Sequence, residues 1–303
     1  MGHKQLSEII TNSKLILKGK EEQIELVLCN ILAGGHTLVE DAPGVGKTTL
    51  VKYIGKSFGM DVSRIQFTND LLPSDILGTT IFNKENNSFE FHKGAIFGEL
   101  ILADELNRAP PKTQSALLQA MEERNISLEG HTYPLPPHFT VIATQNPNVQ
   151  VGTFNLPESQ LDRFSMKIKM GYPDKLSTLE LLKSHSQGSS LEQIKTTMTI
   201  EELVIIQKLI QSFHIEDSLY ETIYNILNWS RSNKDLVPLS NRCGIDIVNL
   251  SKAWAYLKER DYVIPDDIFH ILPFVAGHRL VHPESSDIDY EHKVTHELIS
   301  KVK

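Results

Sequence analysis

A chain of 303 residues has the length for about two domains with real hydrophobic cores. Its formal charge of −8 gives no long-range attraction to nucleic acid, and no apolar run approaches the roughly 18 residues that a membrane span requires. The two cysteines, Cys29 and Cys243, lack paired spacing, which fits small buried residues in a reducing compartment. The polar start Met1-Gly2-His3-Lys4-Gln5 carries no signal peptide, so the expected location is the cytoplasm.

The first predicted element is helical. Ile9, Ile10, Ile24, Val27, Leu28, Ile31 and Leu32 recur at helical spacing across residues 6–34, and Gly34-Gly35 ends the run. A strand, His36–Glu40, then leads into Glu40-Asp41-Ala42-Pro43-Gly44-Val45-Gly46-Lys47-Thr48-Thr49 and a helix, Thr48–Phe58. Strand, Gly-rich turn and helix in that order form a phosphate cradle, with backbone N–H groups of the turn binding phosphate oxygens. Lys47 is spaced to reach the β- and γ-phosphates and Thr48 to set its hydroxyl on Mg²⁺. The expected nucleotide-binding set is Asp41, Ala42, Pro43, Gly44, Val45, Gly46, Lys47, Thr48 and Thr49. Asp41 replaces the first Gly of the generic G-x-x-x-x-G-K-[ST] pattern, and a carboxylate beside phosphates is unfavourable unless it points away.

Further strands are predicted at Arg64–Thr68, Leu100–Asp104, Thr140–Thr144 and Met166–Met170, and helices at Pro111–Glu123 and Pro157–Arg163. This alternation implies a parallel sheet with helices on both faces. Leu100-Ile101-Leu102-Ala103-Asp104-Glu105 reads as a buried strand with two acids at its carboxyl end, where open α/β sheets bind ligands. There Asp104 would hold Mg²⁺ through water, and Glu105 would act as general base on the attacking water. Two hairpins interrupt the pattern: Thr79–Phe82 with Ser88–Phe91, and Asn125–Tyr133. Each is either surface decoration or a contact for a partner or substrate. After Gly171-Tyr172-Pro173 comes a polar loop, Ser184–Ser190, and from Thr199 the apolar spacing is helical throughout. The expected organisation is a nucleotide domain over 1–173, with its helical segment at about 1–35, and a small helical domain over 174–303.

Several linked runs identify a family. They are Arg64-Ile65-Gln66-Phe67-Thr68, Asp70-Leu71-Leu72-Pro73-Ser74-Asp75-Ile76, Phe91-His92-Lys93-Gly94-Ala95-Ile96-Phe97, Ala103-Asp104-Glu105-Leu106-Asn107-Arg108-Ala109-Pro110, the run Lys112 to Arg124, Ala143-Thr144-Gln145-Asn146-Pro147, and Leu156 to Phe164. In this order and spacing the chain resembles the MoxR family of AAA+ ATPases. The resemblance implies an AAA+ αβα sandwich with a parallel sheet followed by a helical lid, assembled as a ring, often a hexamer. It implies ATP and Mg²⁺ as cofactors. It makes Asn146 similar to the sensor 1 residue that orients water or binds the γ-phosphate, although a turn residue before Pro147 is the plainer alternative. Arg163 resembles the arginine finger offered to a neighbouring subunit, with a salt bridge to Asp162 or a nearby acid as its alternative. Arg242, in Leu239-Ser240-Asn241-Arg242-Cys243, resembles the sensor 2 arginine of the lid, with neighbours that differ from the usual small-residue run and Arg231 nearby as a fallback. Arg108 and Arg124 either act across a subunit boundary or lie on a solvated helix face.

The function that follows is a chaperone-like ATPase ring that matures partner proteins or inserts their metals or cofactors. Its partners often carry a separate von Willebrand factor A domain. A nucleotide-gated scaffold with slow, timing hydrolysis is the second reading. A DNA-acting motor is disfavoured by the acidic charge, and a small-molecule kinase by the lack of an identifiable acceptor pocket.

Overall fold

The computed structural model describes residues 2–41, 44–146, 152–184, 191, 194–281 and 290–302. Five short strands form one parallel sheet: β1 (Thr37–Glu40), β2 (Val62–Gln66), β5 (Leu100–Asp104), β8 (Thr140–Gln145) and β9 (Met166–Ile168), in the spatial order β2-β5-β8-β1-β9. The register sets Glu40 level with Gln145 and Gln66 level with Asp104. The carboxyl ends of β1, β5 and β8 therefore finish side by side.

Alternation along the strands explains why the sheet needs helices on both faces. Leu38, Ile101, Ala103, Val141 and Ala143 point into a core shared with Leu117, Leu118 and Met121 of α5 (Pro111–Glu123). Val39, Leu100, Leu102, Ile142, Met166 and Ile168 point the other way, toward α1 (Gly2–Ser13), α2 (Glu21–Leu32) and α3 (Lys47–Phe58). Neighbouring residues of one strand thus feed opposite cores, as a period of two requires.

Among the described residues after 173 the regular elements are helices: α7 (Lys175–Ser184), α8 (Ile200–Gln211), α9 (Asp217–Ser232), α10 (Asn241–Leu257), α11 (Pro265–Leu280) and α12 (Tyr290–Val302). Thr199 starts α8 by accepting from Glu202 N–H at 3.3 Å, while the Glu202 carboxylate accepts from Thr199 N–H at 2.8 Å. The buried residues of these helices join the cluster that α1, α2 and α3 build, so the helical region packs onto one face of the sheet. Among the described residues no helix is long and apolar enough to cross a membrane.

Several expectations need correction. Residues 6–34 form two helices: α1 ends at Ser13, turns follow through Gly19 at φ +68°, and Lys20 turns inward to donate to the carbonyls of Met170 and Gly171 at 2.6 and 2.9 Å before α2 starts. β2 lies two residues earlier than expected. β9 stops at Ile168, and the helix predicted from Pro157 is the single turn α6 (Glu158–Leu161). α7 has no counterpart in the sequence reading; Leu176 and Leu182 on it are exposed, so no core pattern announces it. The polar loop foreseen at Ser184–Ser190 lies outside the described residues apart from the end of α7. The hairpins are β3 (Gly78–Asn83) with β4 (Ser88–Lys93), and β6 (Asn125–Leu128) with β7 (His131–Pro134), joined by a stacked Phe91–Tyr133 contact at 4.1 Å.

Two buried histidines tie layers together. His36 accepts from Val141 N–H through Nδ1 at 3.0 Å and donates from Nε2 to the Met121 carbonyl at 3.2 Å. Burial, and then the nearby Arg124 charge, push its pKa down to about 3. His278 donates to the Phe164 carbonyl at 3.0 Å, and burial likewise holds its pKa well below the ordinary value. Both stay neutral in the fold but take up protons below about pH 6.5 once unfolded. Stability is therefore complete above that pH and falls as pH drops, by about 1.4 kcal/mol per pH unit for each histidine. Urea unfolding at pH 7.5, 6 and 5 is expected to show this loss, with a shallower slope for His36→Gln. An unchanged midpoint between pH 7 and 5 contradicts it.

Candidate functional site

The site is built at the carboxyl ends of β1, β5 and β8. The turn after β1 enters α3 through Gly46, whose φ of +99° is open to glycine at little cost, and no side chain caps the first turn of the helix. Gly44 also sits at positive φ, and a Cβ added there would meet nothing within 4 Å, so bare backbone faces open space. Orphan N–H groups at a helix start, with room beside them, suit an anion. Ala42 and Pro43 lie outside the described residues, and Val45 is buried against the core.

The acid at the first-glycine position is turned away. Asp41 accepts through Oδ2 from the Gly171 N–H, on the far side of β1 from β8. Its backbone carbonyl accepts from Lys47 Nζ at 2.8 Å. Burial lowers the Lys47 pKa, opposed by the charges of Asp104, Asp41 and Glu105. Lys47 is thus a partly desolvated cation with Asp104 and Glu105 among its electrostatic neighbours, which unites the two sequence motifs in one place. The Thr48 and Thr49 hydroxyls have no hydrogen-bond partner among the described residues.

Apart from Arg108, the residues that hold Asp104 and Glu105 have no role in the sequence reading. Thr144 Oγ1 donates to Asp104 Oδ1 at 2.7 Å and accepts from Glu105 N–H at 2.9 Å. Arg64 donates to Asp104 Oδ2 at 2.7 Å. Glu105 sits at φ +59°, a costly conformation for a residue with a Cβ, and its Oε2 accepts from Gln66 at 3.1 Å and Arg108 at 2.9 Å. Arg108 therefore pairs within its own chain. Asn146 follows β8 directly, and its carbonyl accepts from the buried Asn107 side chain at 3.2 Å. The hard oxygen donors here, the Thr48 hydroxyl and the Asp104 carboxylate, fit Mg²⁺, which takes few protein ligands and keeps phosphate and water oxygens.

A second, basic cluster lies elsewhere. Arg163 pairs with Glu122 Oε2 of α5 at 3.1 Å, and Arg242 pairs with Glu122 Oε1 and lies 3.7 Å from Asp162 Oδ2. Arg242 is in the first turn of α10, whose N-cap Ser240 also donates to the Asp162 carboxylate at 3.0 Å. Buried Arg279 of α11 closes the group from behind, pairing with Asp162 at 2.9 Å and with Asp246. The two arginines singled out in sequence are thus neighbours sharing one glutamate, and the charged groups that bear on Lys47 do not include Arg242. Arg231 caps the Leu239 carbonyl at 3.2 Å and bonds Asn241, a local structural task. Arg124, expected at a boundary or on a solvated face, instead folds back onto the carbonyls of Phe139 and Gly34 at 2.8 and 2.7 Å.

Comparison with known proteins agrees with this geometry. A family model described as the ATPase family associated with various cellular activities matches residues 36–166, and an AAA lid domain model matches residues 238–297. The chain is 41% identical to the uncharacterised protein YeaC of Bacillus subtilis over 99% of this chain and 95% of that one. It is 36% identical to chaperone MoxR1 of Mycobacterium tuberculosis over 91% of this chain and 75% of that one. A crystal structure of a protein assigned as an ATPase, from Cytophaga hutchinsonii, superposes with a TM-score of 0.88 at 35% identity, covering 99% of this chain and 95% of that one. With its nucleotide loop, paired strand-end acids and helical lid, the chain belongs to the MoxR family of AAA+ ATPases, enzymes that hydrolyse ATP.

Proposed function

We propose that the chain works as an ATP-driven, chaperone-like remodeller, assembled as a ring in which each nucleotide site is completed by the next subunit. What supports this reading is that Lys47 has Asp104 and Glu105 as charged neighbours while Arg163 and Arg242 are both held by Glu122: each set looks like half of one site. The reading assigns residues 1–173 to nucleotide binding and residues 174–303 to the lid.

Bound ATP supplies the phosphoryl group to be transferred to water, and Mg²⁺ neutralises charge across its phosphates. The amides of residues 44–49 and the Lys47 ammonium bind phosphate oxygens. Thr48 and Asp104 would hold the cation. Glu105 takes a proton from the attacking water once its carboxylate leaves Arg108 and Gln66, and Asn146 orients that water. Arg163, with Arg242 beside it, offers fixed positive charge to the neighbour's transferring group. The exposed Phe82 and Phe89, in edge contact at 5.2 Å on the first hairpin, offer an apolar surface to a client protein. The resting bonds of Glu105 also favour a second reading, a nucleotide-gated scaffold whose slow hydrolysis times assembly.

Glu105→Gln is expected to bind ATP with near-native affinity and to lose at least about a hundredfold in turnover, a general-base loss; Lys47→Ala is expected to weaken binding itself. Titration with fluorescent ATP beside a phosphate-release assay separates the two effects. Mixing Glu105→Gln chains with Arg163→Ala chains should restore partial turnover, since some mixed boundaries pair an intact base with an intact arginine. Turnover by a strictly monomeric Arg163→Ala protein at the native rate defeats the shared-site reading. Thr144→Val keeps the side-chain shape but leaves Glu105 N–H unpaired and Asp104 short of one donor, at a cost of about 1–3 kcal/mol. Turnover should fall tenfold or more while circular dichroism stays native. Client activity that survives in the Glu105→Gln ring selects the scaffold over the remodeller.

A further inference from the structure

A cavity of about 290 Å³ opens at the opposite end of the sheet from the nucleotide loop. Its floor is the end of α2 with Gly34 and the start of β8 at Thr140; its roof is α8 and α10. Among the described residues three basic side chains line it, Arg124, His138 and Lys252, and no carboxylate does.

Arg124 and Lys252 meet no counter-ion among the described residues. Arg124 is fixed by a left-handed backbone at φ +54° and uses two of its donors on the Phe139 and Gly34 carbonyls. Lys252 donates to the Gln211 carbonyl at 2.9 Å. Burial lowers the pKa of both, with no acid opposing it. His138 stands 2.9 Å from Glu99, whose carboxylate also accepts from Asp61 N–H at 2.8 Å. Half-buried Asn249 presents an amide with no partner among the described residues. A partly buried guanidinium that meets only carbonyls, as Arg124 does, is costly, and an anion in the cavity would supply the missing charge, with the more exposed Lys252 adding to the positive field. Arg124 keeps three further N–H donors in a planar fork suited to phosphate or carboxylate.

We propose that this cavity binds a small polyanion bearing phosphate or carboxylate groups, held by Arg124, Lys252 and Asn249. Its volume is at the low end for ligand sites, which admits a compact ion and excludes a whole dinucleotide. A bound anion touches α8, α10 and the strand end together, so occupancy clamps the helical region to the sheet.

The proposal shares no residue with the phosphate loop and does not rest on the ATPase reading. Isothermal titration of Lys47→Ala, whose nucleotide loop is crippled, with pyrophosphate, succinate and glucose tests it. One-to-one saturable binding of pyrophosphate or succinate, and none of glucose, is expected; the tighter of the two anions names the class. Adding Lys252→Met should weaken that binding about tenfold or more. Arg124→Gln should do the same, and Lys252→Met serves alone if that variant fails to fold, because Lys252 bonds only one exposed helix-end carbonyl. Absence of saturable binding by either anion, or binding unchanged by Lys252→Met, overturns the proposal.

Discussion

Strand register is the constraint on which the whole arrangement depends. Leu38 and Val39 face opposite cores, as do Ile101 and Leu102, so a slip of one residue would drive each set into the core shaped for the other. The same register ends β1, β5 and β8 together, which brings a lysine, two carboxylates and an asparagine from chain positions a hundred residues apart to one edge. Thr144 reads that register chemically: its single hydroxyl serves Asp104 and Glu105 only while β8 lies beside β5 in this alignment.

A buried ionic chain carries the position of the last helix to the same edge. Lys167 of β9 lies between Glu40, the last residue of β1, at 2.6 Å and Glu291 of α12 at 2.5 Å. Glu40 in turn accepts from Gln145, the last residue of β8, at 2.9 Å. Burial opposes the Glu40 charge, but Lys167 outweighs it and holds that carboxyl below its usual range; the two glutamates likewise raise the Lys167 pKa. Removing either end of such a buried set leaves a charge uncompensated, so the seating of α12 and the residue preceding the nucleotide loop are energetically linked.

Much of this was legible in the amino-acid order, because apolar runs ending in acids and a glycine-rich turn carry their own physics. Leu100–Asp104 and Pro111–Glu123 stand as the sequence predicts. The misplaced elements share a cause: local pattern without packing. Helical periodicity runs through Gly19 although the chain does not, and fully buried Phe67 reads as strand although the sheet ladder ends at Gln66. Contacts made across the fold left no local trace. Thr144 and Asp104 are 40 positions apart, Arg242 and Glu122 are 120 apart, and Lys20 finds Met170 at a separation of 150. Asp41 shows the same limit: its charge argued against a phosphate loop until the Gly171 amide gave its side chain another direction.

Glu122 gives the isolated protomer a resting place for its two basic hooks. Both arginines are docked on one half-exposed carboxylate, so neither points loose charge at solvent or at an unrelated anion. In the ring proposed above, they would have to trade that berth for one on the adjoining protomer, and such an exchange between partly wet ion pairs would be nearly isoenergetic. Assembly would then be reversible by design, tuned by ionic strength and by whatever occupies the adjoining loop.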